Sequence, residues 1–551
     1  MSRFDSLLEF CKKHAHIYCY GAGYMGLRTF EFLNKYGISI EGFIVSKKAD
    51  DSVKGLKIYQ FDEVIPNINA ETGIILSLDK KHHEEIIAHF FSHIPVENEM
   101  FFRITYEDVF IKMRLDMAEG LNSFSVKDSN GLICKFIDNV YDIELEKIER
   151  FHDKYKEIRS RYKKIVFTQY DMRHIGVMCL TYYIWSIERE AYKDILYVMM
   201  PVLWNNDYNK IPNRYLFSKI QEKMEIITQE NYQFWRWMIQ YHANEIEFSN
   251  QYGWNEIKER DMFYLERYNV GLDIALTARE CEYFNHLKIS NGFICIYSRD
   301  AEYYKHIGQD SSTDSYRNCL EARNSAIEDF KLMALEYNKK GLPLVRMGSV
   351  VDELINSTGI VDYASICRTE ALDFYLISKC KFFVVSASGI MAIAILFDTP
   401  IVFVNAPIIT FAGDLVVPMP KDRDIIIMKR MWYPEQNRFL SFDEILYMEE
   451  KYSSYGIFDA YRKLGIEFQS NTPQELLAVS EEMRKRIEGN MVYLEEDESL
   501  QRKYRSKLEE SAKRSGNHFY NGRFGADFLR NNQWFLDSVP DELSIRNVSI
   551  K

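Results

Sequence analysis

No two of the nine cysteines stand at the C-x-x-C spacing of a zinc site or a thiol redox motif. Cys11, Cys19, Cys134, Cys179, Cys281, Cys295, Cys319, Cys367 and Cys380 are scattered along 551 residues. Their odd number, and the apolar runs that hold several of them, point to reduced thiols and exclude a disulfide framework. An excess of basic residues is also missing. The net charge is −12 with the acids spread along the chain, which excludes a general nucleic-acid binder that must neutralise many phosphates. No apolar run reaches the roughly 20 residues of a membrane span. The nearest, Phe382 to Phe397, contains a Ser-Ala-Ser-Gly turn and is closed by Asp398. The first residues, MSRFDSLLEFCKKHAHIYCYGAG, carry charge through a helix and lead straight into a strand, so they are not expected to be a secretory signal. Internal sequence repeats and low-complexity segments are absent too. These absences together lead to the expectation of a soluble, cytoplasmic protein.

What is present is enough apolar residue, 47%, to fill several cores, and a chain of this length is expected to form three or more domains. The most informative stretch is Lys381 to Asn405, KFFVVSASGIMAIAILFDTPIVFVN. It reads as a buried strand, a turn of small residues, a short apolar helix over Ile390 to Phe397, a break at Asp398-Thr399-Pro400, and a second buried strand from Ile401. Strands apolar on both faces belong to parallel sheets covered by helices. A small-residue turn between strand and helix leaves backbone N–H groups able to face an anion, so Ser388 and Gly389 are candidate phosphate contacts. An ordinary buried strand–helix–strand unit accounts for the same letters.

The chain opens its α/β pattern three times. In residues 1–115, the strand His16 to Tyr20 runs into Gly21-Ala22-Gly23-Tyr24-Met25-Gly26 and a helix. This is a G-x-G-x-x-G in the context of a dinucleotide site, making Gly21, Gly23 and Gly26 candidate cofactor-binding residues. The acid that would hold a ribose at the end of the second strand is missing; Ser46-Lys47-Lys48 stands there. A structural or regulatory module is the alternative. His82 and His83 lie on a polar helix and read as a solvated face. Residues 116–162 read as a helical linker with alternating charges. A second α/β domain is expected over 163–288, where the loop after the strand at Lys164 carries Asp171 and His174. Both are candidates for general-base work on an acceptor hydroxyl, although loop polarity explains them equally well. The aromatic run Phe234 to Met238 reads as core.

The third opening, 289–430, places Arg299 after the strand Phe293 to Tyr297, then a long polar loop, then Arg323-Asn324 at a helix start. Arg346 ends a further strand. Three guanidinium groups on the ligand side of one sheet suit a diphosphate leaving group, which needs bidentate donors and positive charge as its bond breaks.

The run Arg299-Asp300, Arg323 to Phe330, Val345-Arg346-Met347-Gly348, Asp362-Tyr363-Ala364, Asp373 to Leu376, Cys380 to Phe383, Ser388-Gly389 and Pro400 to Asn405 resembles a family of bacterial glycosyltransferases. That family occurs in surface-polysaccharide clusters, of capsule or O-antigen. The likeness covers roughly 165–540, and 1–115 is similar to small Rossmann-like modules fused to sugar-modifying enzymes. The resemblance implies a GT-B architecture: two facing Rossmann-like domains, the second holding the donor nucleotide sugar, with a helical C-terminal region over 431–551 packing back across them. It carries donor-side roles onto Arg299, Arg323, Asn324, Arg346, Ser388 and Gly389. This chain has Tyr297 where the family's histidine is expected and Val385 in place of a glycine. The implied partners are a nucleotide sugar and a glycan or lipid-linked glycan acceptor, with room for a peripheral contact at the inner membrane face. No metal and no cofactor beyond the donor are expected, since nothing reads as the Asp-x-Asp metal carrier of the other large glycosyltransferase fold. The competing readings are an NAD(P)-dependent oxidoreductase or epimerase acting on sugar nucleotides, and a non-catalytic scaffold of the glycan pathway.

Overall fold

A computed structural model describes residues 3–48, 51–78, 82–94, 97–104, 145–188, 193–202, 210–228, 231–242, 245–248, 269–289, 292–300, 314–351, 354–411, 422–452, 456–516, 518–519, 522–540 and 544–547. They form two compact units. The first comprises Met1–Asp171, Ala191–Asn209 and Gln221–Gly253; the second comprises Met172–Glu190, Lys210–Ile220 and Trp254–Lys551. Within those bounds only the described residues are characterised.

The first unit holds two sheets. Strands β1 (His16–Tyr20), β2 (Gly42–Val45), β3 (Ser52–Val53), β4 (Leu56–Gln60), β5 (Thr72–Ser77) and β6 (Phe101–Ile104) lie in the order β3-β4-β2-β1-β5-β6. All are parallel except the short β3. The helices Arg3–Lys13 and Tyr24–Lys35 cover one face, where Phe32, Leu33 and Phe43 pack. The helix His83–His93 covers the other, with Ile86, Ile87 and Phe90 buried against Tyr20 and Leu76. Apolar residues on both faces are what a parallel sheet requires. The linker segment 116–162 falls partly outside the described residues; its described end is the helix Leu145–Arg161.

The second sheet of this unit is β7 (Lys164–Asp171), β8 (Ile195–Val202), β9 (Glu225–Ile226) and β10 (Ile246–Phe248), all parallel, in the order β10-β7-β8-β9. Phe234, Trp235, Trp237 and Met238 on the helix Tyr232–Tyr241 pack onto Ile165, Phe167 and Val198. That aromatic run is core.

The second unit is built on a seven-stranded parallel sheet. Its strands are β11 (Ile294–Tyr297), β12 (Leu344–Arg346), β13 (Ile360–Val361), β14 (Phe383–Val385), β15 (Ile401–Ala406), β17 (Ile425–Met428) and β22 (Arg523–Phe524). The order is β13-β12-β11-β14-β15-β17-β22. A two-stranded ribbon pairs β16 (Thr410–Phe411) with β21 (His518–Phe519). A three-stranded antiparallel sheet joins β18 (Arg430–Tyr433), β19 (Arg438–Phe439) and β20 (Glu467–Gln469). Residues of β11, β12, β14, β15 and β17 are buried almost throughout. The order reverses between β11 and β14, and the crevice outside the carboxyl ends of such a pair is where open α/β sheets take ligands.

Three expectations need correction. The polar run after Asp300 is not all loop: Asp314–Arg323 is an α-helix, so Arg323 ends a helix rather than starting one. Burial of Cys319 and Ala322 on its inner face outweighs the weak helix propensity of its Ser, Asn and Asp residues. The C-terminal region is not all helical, because Arg523-Phe524 completes the main sheet beside β17. His83 is not solvated; it is buried, and its Nε2 meets the Leu78 carbonyl at 2.9 Å.

Candidate functional site

At the carboxyl ends of β11 and β14, two backbone segments are tied to each other. The Arg299 amide donates to Ser386 Oγ at 2.9 Å, and the Ser386 amide donates to the Tyr297 carbonyl at 3.1 Å. Behind them the Ser325 amide donates to the Arg299 carbonyl at 2.9 Å, and Ser298 Oγ donates to the Ser325 carbonyl at 2.8 Å. The turn that ends the Asp314–Arg323 helix is thereby stitched to the end of β11. From that turn Arg323 reaches across to β14, its Nε donating to the Ala387 carbonyl at 3.1 Å.

Arg299, Arg323 and Ser388, far apart in the chain, all come close enough to the Tyr297 hydroxyl to act on it, as does Asp300. Burial raises the pKa of that phenol, while Arg299, a hydrogen bond from Ser388, and Arg323 each pull it down. Burial likewise raises the Cys319 thiol against the pull of Arg323 and Arg299. Arg299 and Ser388 are 5% and 7% exposed. A guanidinium cluster at this depth can bind an anion more strongly than the same groups in open water.

The remaining donor-side candidates separate from that cluster. Arg346, buried at the end of β12, lies 3.4 Å from both oxygens of the equally buried Asp362, whose Oδ2 also accepts the Ile355 amide at 2.9 Å. Its charge is matched within the protein. Asn324 presents its backbone carbonyl to Lys429 Nζ at 2.5 Å, while its side-chain Oδ1 is buried with no hydrogen-bond partner among the described residues. Gly389 has a packing reason: a Cβ there would sit 3.0 Å from the Gly176 amide nitrogen and 3.2 Å from Ile175 Cγ2. The helix Ile175–Glu188 thus runs hard against the 386–389 turn. The helix after that turn is only Met391–Leu396, so its dipole is short.

His174 immediately precedes the Ile175–Glu188 helix, and its carbonyl accepts the first helical hydrogen bond, from Met178. It is one residue from the side chain that packs on Gly389. Asp171 is the last residue of β7, in the first unit; its side chain lies outside the described residues.

In the first unit the glycine-rich turn has its own structural causes. Gly21 sits at φ +105°, with its N–H given to the Ile44 carbonyl at 2.8 Å. A Cβ on Gly26 would come within 1.8 Å of the Gly21 carbonyl oxygen, whereas one on Gly23 would meet nothing within 4 Å. Beside this turn is a cavity of about 480 Å³, lined by Tyr20, Ser46, Leu78, His82, Glu85 and Ile86 among others. At the end of β2 the Ser46 hydroxyl is bonded to the Tyr20 hydroxyl at 2.8 Å, and Lys48 pairs with Asp51 at 2.8 Å.

Among the described residues, no group of three or more His, Cys, Asp or Glu is placed to hold a metal ion. One Asp-x-Asp does occur in the letters, Asp422-Arg423-Asp424. Asp424 is fully buried and accepts the Ile401 amide at 2.9 Å, and Arg423 bonds Asp398, so this triplet fastens the start of β15. No described helix is long and apolar enough to cross a membrane.

No protein-family model matches the chain, and no curated protein matches it. Several solved structures are similar in part. The iron-containing dodecameric glycosyltransferase TibC from enterotoxigenic E. coli H10407 aligns over 47% of this chain and 62% of its own, at 9% identity and TM-score 0.26. The chain therefore spans under two thirds of TibC. A glycosyl transferase family 9 protein from Veillonella parvula DSM 2008 aligns over 58% of this chain and 97% of its own, at 11% identity and TM-score 0.32. An E. coli ADP-heptose lps heptosyltransferase II aligns over 44% and 84%, at 13% identity and TM-score 0.24. Likenesses of this size leave function to be read from the chain's own residues.

Sequence reasoning missed Lys429, Tyr297 as a ring between the arginines, and Asp362 as the partner of Arg346. Only Lys429 had a readable signal: a lysine directly after the wholly apolar Ile425-Ile426-Ile427-Met428, at the carboxyl end of a buried strand.

Proposed function

We propose that this chain is a GT-B-type glycosyltransferase that moves a sugar from a nucleotide-sugar donor to a glycan or lipid-linked glycan acceptor of a bacterial surface polysaccharide. The observation that carries the reading is the meeting of Arg299, Arg323 and Ser388 around Tyr297 at the point where the main sheet reverses its order. In this mechanism the acceptor hydroxyl gives its proton to an imidazole, that of His174, and attacks the anomeric carbon. The bond from that carbon to the donor's phosphate oxygen breaks, and the electron pair leaves with the nucleoside diphosphate. Arg299 and Arg323 neutralise the charge that accumulates there, a task that divalent ions perform in other transferases.

The oxidoreductase reading asks for a ribose-binding acid after β2, and that position carries Ser46, engaged with Tyr20. The transferase reading is therefore preferred.

The test is a thermal-shift and calorimetric screen of the full chain against UDP, GDP, ADP and their sugars. A ligand that binds the folded state raises the melting temperature. Arg323→Ala removes a charge-assisted contact of about 1.5–3 kcal/mol, so affinity for the responding nucleotide should fall roughly 10- to 100-fold. Failure of every nucleotide to bind, or equal binding by Arg323→Ala, would refute the assignment.

A further inference from the structure

Lys429 is a buried cation of the second unit. It follows β17, its own amide donates to the Ala406 carbonyl at 3.0 Å, and its side chain runs inward until only 3% of the residue is exposed. Its ammonium donates to the Asn324 carbonyl at 2.5 Å. The nearest carboxylate on the neighbouring 3-10 turn, Ile327–Phe330, is Asp329, which itself feels Glu328. Burial raises the Asp329 carboxyl above its usual range while Lys429 pulls it down, and the two form no close ion pair. Arg430, next in the chain, is turned to Glu475 at the start of the helix Pro473–Ile487. A lysine so placed is destabilised as a cation, and burial lowers its pKa to about 8, with Asp329 opposing the drop.

Its one strong contact grips the turn that carries the anion site. The Asn324 carbonyl it holds lies between Arg323, which reaches Ala387, and Ser325, which is bonded to Arg299 and Ser298. We propose that Lys429 is a positioning residue of the anion site: its ammonium holds the Arg323–Ser325 turn in the anion-binding arrangement, so that a nucleoside diphosphate binds to the protonated form. The proposal rests on the donor-site reading above. By linkage, a ligand that prefers the ammonium form must draw a proton onto it, and the affinity must fall where the proton is lost.

The test is calorimetric titration of the full chain with UDP, ADP and inorganic pyrophosphate at pH 7, 8 and 9. Two buffers of different ionisation enthalpy are used, so that bound protons are counted. A terminal phosphate with pKa near 6 is ionised over the upper part of this range. The native protein should take up as much as roughly half a proton per ligand at pH 8, with affinity falling between pH 8 and 9. Lys429→Arg should bind with a flat pH profile and take up no proton, because a guanidinium does not titrate here. Lys429→Met should bind about tenfold more weakly at pH 7 with no uptake. It should melt no lower than the native protein, since an apolar chain of like length replaces a buried cation. Nucleotide binding with no uptake by the native protein, or equal uptake by Lys429→Met, overturns the proposal and leaves the donor site standing. No binding of any probe by the native protein overturns both.

Discussion

Arg346 faces a buried carboxylate, and the structure sets the size of the effect of removing that arginine. Replacing it with methionine leaves the Asp362 carboxylate 4% exposed, with the Ile355 amide as its remaining hydrogen-bond donor of those described above. Removing one partner of a buried pair costs about 3–5 kcal/mol, because the other charge stays out of water. At roughly 2–4 °C per kcal/mol for a domain of this order of size, Arg346→Met should lower the melting temperature by about 6 °C or more. Arg346→Met/Asp362→Asn removes both charges and leaves an amide oxygen to accept from Ile355, so most of that loss should return. Melting is followed by calorimetry at pH 7, alongside titration with the nucleotide that stabilises the native protein. The double variant should keep its affinity within about threefold, since the charges it loses cancelled each other before any ligand arrived. The reasoning fails if Arg346→Met melts like the native chain while nucleotide binding collapses, for then the guanidinium faces the ligand and not Asp362.

Other outcomes follow from single contacts. Gly26→Ala would drive a methyl to within 1.8 Å of the Gly21 carbonyl and should unfold the first sheet of the first unit, read as rapid cleavage there in limited proteolysis. Gly23→Ala, with open space around it, should leave cleavage unchanged. Gly389→Ala should push the Ile175–Glu188 helix off the 386–389 turn, since backbone at 3.0 Å cannot yield as a side chain can; a loss of about 1–3 kcal/mol is expected by denaturant titration. Asp373 is buried, and burial lifts its pKa to about 6 from 3.8 despite its pairing with Arg368. The folded state holds this proton more tightly than the unfolded one. Its contribution to stability is therefore full below about pH 3.8 and lost as the pH rises through about 6, by about 3 kcal/mol in all. Asp373→Asn should flatten that part of the stability profile, and an unchanged profile would show that another group titrates.

Much of the architecture was legible because parallel strands buried on both faces leave uninterrupted apolar runs. Phe383–Val385 and Ile401–Ala406 announced themselves in this way, as did the strand before Gly21 and the one before Arg299. The turn glycines were legible as well, and Gly26 and Gly389 each make room for a neighbouring backbone. Periodicity was silent about β22, where two residues complete the main sheet from the far end of the chain. It also misled over Asp314–Arg323, whose helix buries Cys319 and Ala322. Pairings across distance left no trace in the letters. Nothing in the sequence joins Arg346 to Asp362 or Lys429 to Asn324, because each contact depends on which strands become neighbours.

Those pairings also distinguish the buried cations by what faces each of them. At β12 the buried Arg346 faces a carboxylate, and Arg368 likewise faces Asp373 at 2.8 Å. At β14 and β17 the acceptors are backbone carbonyls instead, that of Ala387 for Arg323 and that of Asn324 for Lys429. A carbonyl dipole orients a cation without neutralising it, and the low dielectric around a buried group magnifies the difference. An anion approaching the β12 end meets a closed pair, whose opening would strand Asp362. At the β11–β14 crevice, Arg323 is held by a backbone carbonyl. The cations at the carboxyl ends of one sheet thus differ in the acceptor opposite each, a carboxylate for Arg346 and a backbone carbonyl for Arg323 and Lys429.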